Sequence, residues 1–300
     1  MRIGLFSNTL NINFMSYTKY FFGFSALLII MFFVVVFVKG FNLGVDFKGG
    51  IAIELQSETA YKLDDISKKL HSLSINNFSF QEFGNNTFQI IVSSNNISTA
   101  DANNIINTIR SNLTGYKYLQ TQFVGPSVSK TLIQGGIFAV LASFLGIFAY
   151  LWLRFDWQYG IIGVITLCHD VLVSLAFLSL FHFELNLSTI AAILTIIGYS
   201  INDTVVIFDQ VRENTRKYIK ETIPSILNRS LNQVFSRSIS ASVTVFLVLC
   251  SIFLLGGETL QSFSFTLLIG VFFGTYSSIC IATPMLMYIG DIKAKFIKKS

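Results

Sequence analysis

Three places in otherwise apolar sequence carry ionisable side chains. Such a group at mid-membrane costs at least about 2.5–3.5 kcal/mol on insertion scales, so it faces protein and marks function. The first is Asp203, within Gly198-Tyr199-Ser200-Ile201-Asn202-Asp203-Thr204. On a helix Thr195, Tyr199, Asn202 and Asp203 share one face, a polar stripe expected to point at other protein. The second is Arg237, whose face continues through Ser240, Ala241, Thr244 and Ser251. Small and hydroxyl side chains there permit close helix contact. The third is the pair His169-Asp170.

The chemistry these residues can do is proton exchange. An aspartate gains and loses a proton, whereas an arginine stays charged. Desolvation favours the neutral acid and a facing cation favours the anion. A change in the pairing of Asp203 with Arg237 would therefore bind or release a proton, with Tyr199 and Asn202 beside it. One charge crossing 100 mV is worth about 2.3 kcal/mol, enough to bias a two-state protein. The other reading is a static buried ion pair that needs no titration, and the residues alone leave both open. His169-Asp170 is part of a proton path, a local pair or a polar packing contact.

Six apolar runs are long enough, at about 20 residues, to position these groups across a bilayer. They are Phe21–Val38, Ile137–Leu153, Ile161–Phe181, Leu187–Phe208, Ile239–Leu255 and Leu267–Ile289. The fourth holds Asp203, the fifth begins at Arg237, and the third holds His169-Asp170. Asp203 lies about 16 residues, roughly 24 Å, from the outer end of its span, and Arg237 about 18 residues, roughly 27 Å. Antiparallel neighbours then set them at similar heights. The sixth run carries Gly270-x-x-x-Gly274 followed by Ser277 and Ser278, a small-residue packing face.

Only 12% of the 300 residues are charged and 52% are hydrophobic. A soluble domain carries about 25% charged residues, so the deficit points to lipid as solvent. The net charge of +5 comes from Lys and Arg gathered on one side. The turns His182–Asn186 and Gly256–Ser264 have none, while the other side carries Arg154, Arg212, Arg216, Lys217, Lys220, Arg229 and a basic tail at residues 290–300. By the positive-inside rule both termini, residues 1–20 and 290–300, are cytoplasmic. The basic residues mark topology, and no nucleic-acid partner is expected. Between spans four and five, Ile223, Ile226 and Leu227 among basic residues predict an amphipathic interfacial helix. Cys168, Cys250 and Cys280 lie in apolar runs without metal or disulfide spacing, so neither a metal nor a cofactor is expected.

Residues 39–134, between spans one and two, form the extracytoplasmic portion; residues 135–289 hold the other five spans. Strands are expected at Gly50–Leu55, Phe78–Phe83, Thr87–Val92 and Tyr118–Val124, with helices at Tyr61–Leu73 and Ser98–Leu113. Gly84-Asn85-Asn86 is a hairpin turn, and Ser98 with Asp101 is spaced as a capping box. The order β-α-β-β-α-β is the ferredoxin-like arrangement. The expected fold class is thus a six-span α-helical membrane protein with a small α+β domain after the first helix.

Four stretches carry a family resemblance. Phe41-Asn42-Leu43-Gly44-Val45-Asp46-Phe47-Lys48-Gly49-Gly50, Val124-Gly125-Pro126, the segment Gly198–Val206 and Ser236-Arg237-Ser238-Ile239 resemble the SecD/SecF family of the RND superfamily. Tyr199-Ser200-Ile201-Asn202-Asp203 looks like the SecF branch. Gly44, Asp46, Gly49 and Gly50 fall in the motif after the first helix. Gln210 stands where the family often has Arg, and Val45 where Ile is usual.

The resemblance implies a non-enzymatic subunit of the Sec export machinery in the cell inner membrane. It implies pairing with SecD, which supplies six further helices, and work with the SecYEG channel and YajC. It implies that the proton motive force promotes translocation and release of unfolded exported polypeptides. It also implies that Asp203 and Arg237 take part in proton movement. An RND-type small-molecule exporter would need larger outer domains and twelve helices in one chain. An intramembrane protease would need a Gly-x-Gly-Asp, Gly-x-Ser-Gly or His-Glu-x-x-His motif, all absent from the sequence. A purely structural assembly subunit is the remaining alternative, and Asp203→Asn discriminates it.

Overall fold

The computed structural model describes residues 11–57, 61–75, 77–82, 86–92, 99–257 and 260–288. It divides into two compact units. One unit is a helical bundle comprising residues up to Asn42, Ala139–Phe183 and Ser188 onward. The other is an α+β unit, Leu43–Phe138 with Glu184–Leu187.

Helix α1 (Thr18–Lys39) opens the bundle and follows a 3₁₀ turn at Phe14–Tyr17. In the α+β unit a single-turn helix α2 (Val45–Lys48) leads into strand β1 (Gly50–Ser57). Then come α3 (Leu63–Ser72), β2 (Phe78–Glu82), β3 (Thr87–Val92), α4 (Thr99–Asn112) and β4 (Tyr116–Val124). The sheet is antiparallel, in the order β2-β3-β1-β4. Ile53 sits opposite Ile90 on one side and Thr121 on the other.

Strand alternation decides which face is covered. Ile51, Ile53 and Leu55 point to one face and are fully buried beneath Ile66 and Leu70 of α3, Ile109 of α4 and Leu113 just after it. Ala52 and Ile91 point to the other face, where Val45 of α2, Val124 and Leu132 cover them. Asn86, at the foot of the β2–β3 hairpin, has φ +57°, the left-handed conformation that Asn tolerates. The rest of the expected turn, Gly84-Asn85, and the Ser98 cap lie outside the described residues, as does the basic tail.

The bundle continues with α5 (Pro126–Arg154), whose first turns belong to the α+β unit. It is completed by α6 (Trp157–Leu180), α7 (Leu187–Lys217), α8 (Ile223–Leu255) and α9 (Gln261–Ser277). A π turn at Ser278–Ala282 carries the last helix into Thr283–Met285. Six of these helices are long and apolar enough to cross a membrane. Their packing ranks them by depth. The apolar windows of α6 and α9 are 61% and 78% buried, against 17% for α1 and α8. Phe37 and Leu153 are 93% and 87% exposed, which suits helices whose outer face meets acyl chains.

Glycines set the closest approaches. A Cβ on Gly270 would lie 2.2 Å from Ile196 Cγ1, and one on Gly274 would lie 3.1 Å from Ser200 Cβ. The Gly-x-x-x-Gly spacing thus seats α9 on successive turns of α7.

The segment expected to form an interfacial helix is instead the ends of α7 and α8, joined by the short turn 218–222. Its apolar side chains find protein rather than lipid. Ile226 and Leu227 are buried, and Leu227 packs with Phe14, Met15, Val211 and Leu231. The turn before α1 is fastened there as well, since Asn228 Oδ1 accepts from the Met15 N–H at 3.0 Å.

Candidate functional site

Asp203 lies on α7 and is 6% exposed. Its neighbours across the α7–α8 contact are Ser238, Ser242 and the charge of Arg237. Ser242 shares a 2.6 Å hydrogen bond with Thr275 Oγ1 of α9 and accepts a long one, 3.5 Å, from Tyr199 Oη. The acid therefore sits where three helices bring hydroxyls together. Asp203 Oδ2 and Ser238 Oγ are buried and close no hydrogen bond of full geometry, although Ser242 and Ser238 stand near enough to interact with the carboxylate. An unsatisfied buried carboxylate oxygen is costly as an anion, and such exceptions call for a functional reason.

The expected polar stripe divides. Asp203 is buried and Tyr199 half-buried, while Thr195 and Asn202 are exposed on the surface of the chain. Arg237 is exposed too. Among the described residues no ion pair joins Arg237 to Asp203; the arginine acts on the acid as a nearby charge.

His169 and Asp170 lie on α6, and Asp170 is fully buried. Its Oδ2 accepts from Ser200 Oγ of α7 at 2.6 Å and from Ser277 Oγ of α9 at 2.8 Å. Its Oδ1 is 3.2 Å from His169 Nδ1. Nothing in the sequence pairs Asp170 with those serines, although Ser200 and Ser277 both stand in stretches that spacing had singled out.

The motif after α1 builds a separate cluster in the α+β unit. Asp46 Oδ1 accepts from Gln122 Nε2 at 2.8 Å, and Oδ2 accepts from the Leu187 N–H at 2.9 Å. Leu187 opens α7, whose first turn has no acidic residue of its own. Asp46 thus satisfies one of the free amides that a helix start leaves, within the α+β unit to which Leu187 belongs. Gly44 donates its N–H to the Leu185 carbonyl at 2.9 Å and has no room for a side chain, because a Cβ would fall 2.1 Å from Glu184 Oε1. Gly49 and Gly50, at φ +70° and +125°, make the turn into β1, a conformation that suits glycine. Burial, then the charge of Asp46, push the Glu184 carboxyl above its ordinary range, with Lys48 opposing. Gln122 and Glu184 carried no sequence signal beyond an acid in a turn lacking Lys and Arg.

A bundle of six long apolar helices with a buried acid among hydroxyls on the fourth, and an α+β unit after the first, defines a multi-pass membrane protein. Residues 105–291 match the family model for the C-terminal part of the protein export membrane proteins SecD and SecF, and residues 34–60 match the SecD/SecF GG motif. The chain belongs to the SecD/SecF family of multi-pass protein-export membrane proteins. It is 39% identical over 300 residues to protein translocase subunit SecF of Rickettsia felis, covering 98% of this chain and 96% of that one. It is 40% identical over 301 residues to the SecF of Rickettsia rickettsii, with the same coverage. The crystal structure of SecDF, a translocon-associated membrane protein from Thermus thermophilus, superposes with a TM-score of 0.86 at 30% identity over 94% of this chain. A SecDF in a super-membrane-facing form superposes with a TM-score of 0.69 at 30% identity over 97%. This chain spans about two fifths of the length of those SecDF chains, at 39% and 40%.

Proposed function

We propose that the chain is the SecF-type subunit of a Sec export complex, and that it uses the proton motive force to promote translocation and release of exported polypeptides. Asp203 carries the proton, Arg237 supplies the fixed charge that the acid alternately faces and loses, and Tyr199 and Asn202 flank the transfer. The observation that supports this most is the Asp203 carboxyl, buried beside the hydroxyls of Ser238 and Ser242 with no ion pair closed to Arg237. A static buried ion pair would bond the arginine to the acid and would not leave it exposed.

The exposed edge formed by Thr195, Asn202 and Arg237 is the surface a SecD-type partner would cover, giving the stripe the protein contact its polarity requires. The bundle lies in the cell inner membrane with both termini cytoplasmic. The β-α-β-β-α-β unit is a ferredoxin-like domain on the far side, where exported chains emerge. SecYEG and YajC are the further partners.

Membrane vesicles depleted of the chain test this reading. Adding the chain back together with SecD should restore the part of preprotein export that an uncoupler abolishes. Export that responds equally to the uncoupler with and without the chain would refute it.

A further inference from the structure

We infer that Asp170 is a positioning residue for the Asp203 site: a buried carboxylate latch that fastens α7 and α9 to α6 through the hydroxyls of Ser200 and Ser277. The inference rests on the reading of Asp203 as the proton carrier.

The latch is built where the three helices come closest. Ser200 and Ser277, both fully buried, donate to the same oxygen, Asp170 Oδ2, at 2.6 and 2.8 Å. Gly274 makes room for this, since a Cβ there would stand 3.2 Å from Ser200 Oγ and 3.6 Å from Asp170 Oδ2. Ser277 is the last residue before the π turn, and the next residue, Ser278, shares a 2.8 Å hydrogen bond with Thr204 Oγ1. Thr204 adjoins Asp203 and stands one turn beyond Ser200. The α7 segment that carries the acid is therefore tied on one side of Asp203 to Asp170 of α6, through Ser200, and on the other to Ser278 of the π turn, through Thr204.

The geometry assigns Asp170 this role rather than that of a second proton carrier. Its Oδ1 faces His169 Nδ1, so one proton can sit on either atom at constant net charge. In both forms Oδ2 keeps its two serine donors, and the grip does not depend on where the proton is. His169 Nε2 is buried without a hydrogen-bond partner, so a proton on the pair has no bonded exit among the described residues. The titratable groups around the latch are His169 and Cys168 on α6 and Tyr276 on α9, whose ring centre is 6.4 Å from that of His169. Those around Asp203 are Tyr199 on α7 and Arg237 on α8.

The test uses the chain assembled with SecD in vesicles, at matched membrane amounts, with two readouts. One is gradient-driven preprotein export. The other is amide hydrogen exchange across residues 198–206, which does not depend on the function of Asp203. Asp170→Asn keeps a carbonyl oxygen for both serines and should retain most export and near-normal exchange. The double substitution Ser200→Ala with Ser277→Ala removes both donors and leaves a buried carboxyl oxygen unsatisfied, so export should fall about tenfold or more. Exchange at 198–206 should rise in that variant and in Asp170→Leu. Export by Asp170→Asn as low as by Asp203→Asn would overturn the inference, because the carboxyl itself would then carry the proton. Unchanged exchange in the serine double variant would overturn it as well. Normal gradient-driven export by Asp203→Asn with raised exchange in the latch variants would instead defeat the Asp203 reading and leave the latch standing.

Discussion

Asp203 and Arg237 face the same α7–α8 contact, yet the acid is 6% exposed while the arginine lies at the surface, and no ion pair closes between them. A cation that acts on a buried acid without bonding it leaves the acid free to change protonation. Removing that cation should therefore disturb function more than stability. Arg237→Met is expected to assemble in normal amount and to lose gradient-driven export about tenfold or more, because the charge biasing Asp203 is gone. Arg237→Lys should retain part of it, since a point charge persists without the planar fork. Export assays with quantified membrane levels check both.

Gly270 is expected to be intolerant of any side chain. A Cβ would overlap Ile196 at both Cδ1 and Cγ1, each 2.2 Å away, and α9 could make room only by leaving α7. Gly270→Ala should cost about 1–3 kcal/mol by overpacking, read as a lowered melting temperature of the detergent-purified protein. Adding Ile196→Ala should recover a large part of that loss. Gly274→Ala, whose nearest contact is 3.1 Å, should be the milder of the two glycine changes.

In the α+β unit, Gly44 and Glu184 form a second space-limited pair. Gly44→Ala should destabilise this unit, as its Cβ would fall 2.1 Å from Glu184 Oε1 and 3.0 Å from Asn186 Cβ. Glu184→Ala in the same chain should relieve part of the loss. A double-mutant cycle on thermal unfolding should then return a coupling of about 0.5–3 kcal/mol.

Glu184 also predicts a pH dependence. Burial and Asp46 hold its carboxyl above the ordinary value of 4.5, so the folded state binds the proton more tightly than the unfolded one. Stability from this group is fully present below 4.5 and is lost as pH rises through the higher folded value. Glu184→Gln cannot ionise. It should raise the melting temperature at neutral pH relative to the parent chain, with the difference shrinking as pH falls below 4.5. An unchanged difference across that range would show that Glu184 does not titrate in this way.

How far the sequence reaches can be followed residue by residue. The spans were legible because runs such as Phe21–Val38 are apolar over a bilayer's width, a property of composition alone. The strands were legible because Ile51, Ile53 and Leu55 alternate. The amphipathic segment after α7 misled for the same reason: apolar periodicity at Ile226 and Leu227 says that a face is covered, not whether lipid or Phe14 and Met15 cover it. The Asp203 stripe was visible as spacing, but only packing separates buried Asp203 from exposed Asn202. Contacts between distant positions carried no local signal. Asp46 accepts from the amide of a residue 141 positions away, and Asp170 meets Ser277 across 107.

The most direct test is Asp203→Asn, which removes the titrating group and changes little else in shape. Membrane vesicles carrying this variant with SecD should assemble the complex at normal level and export preprotein at the rate set without a gradient, whether or not a gradient is applied. Export that still accelerates with the gradient, to the extent seen with the parent chain, would contradict the account.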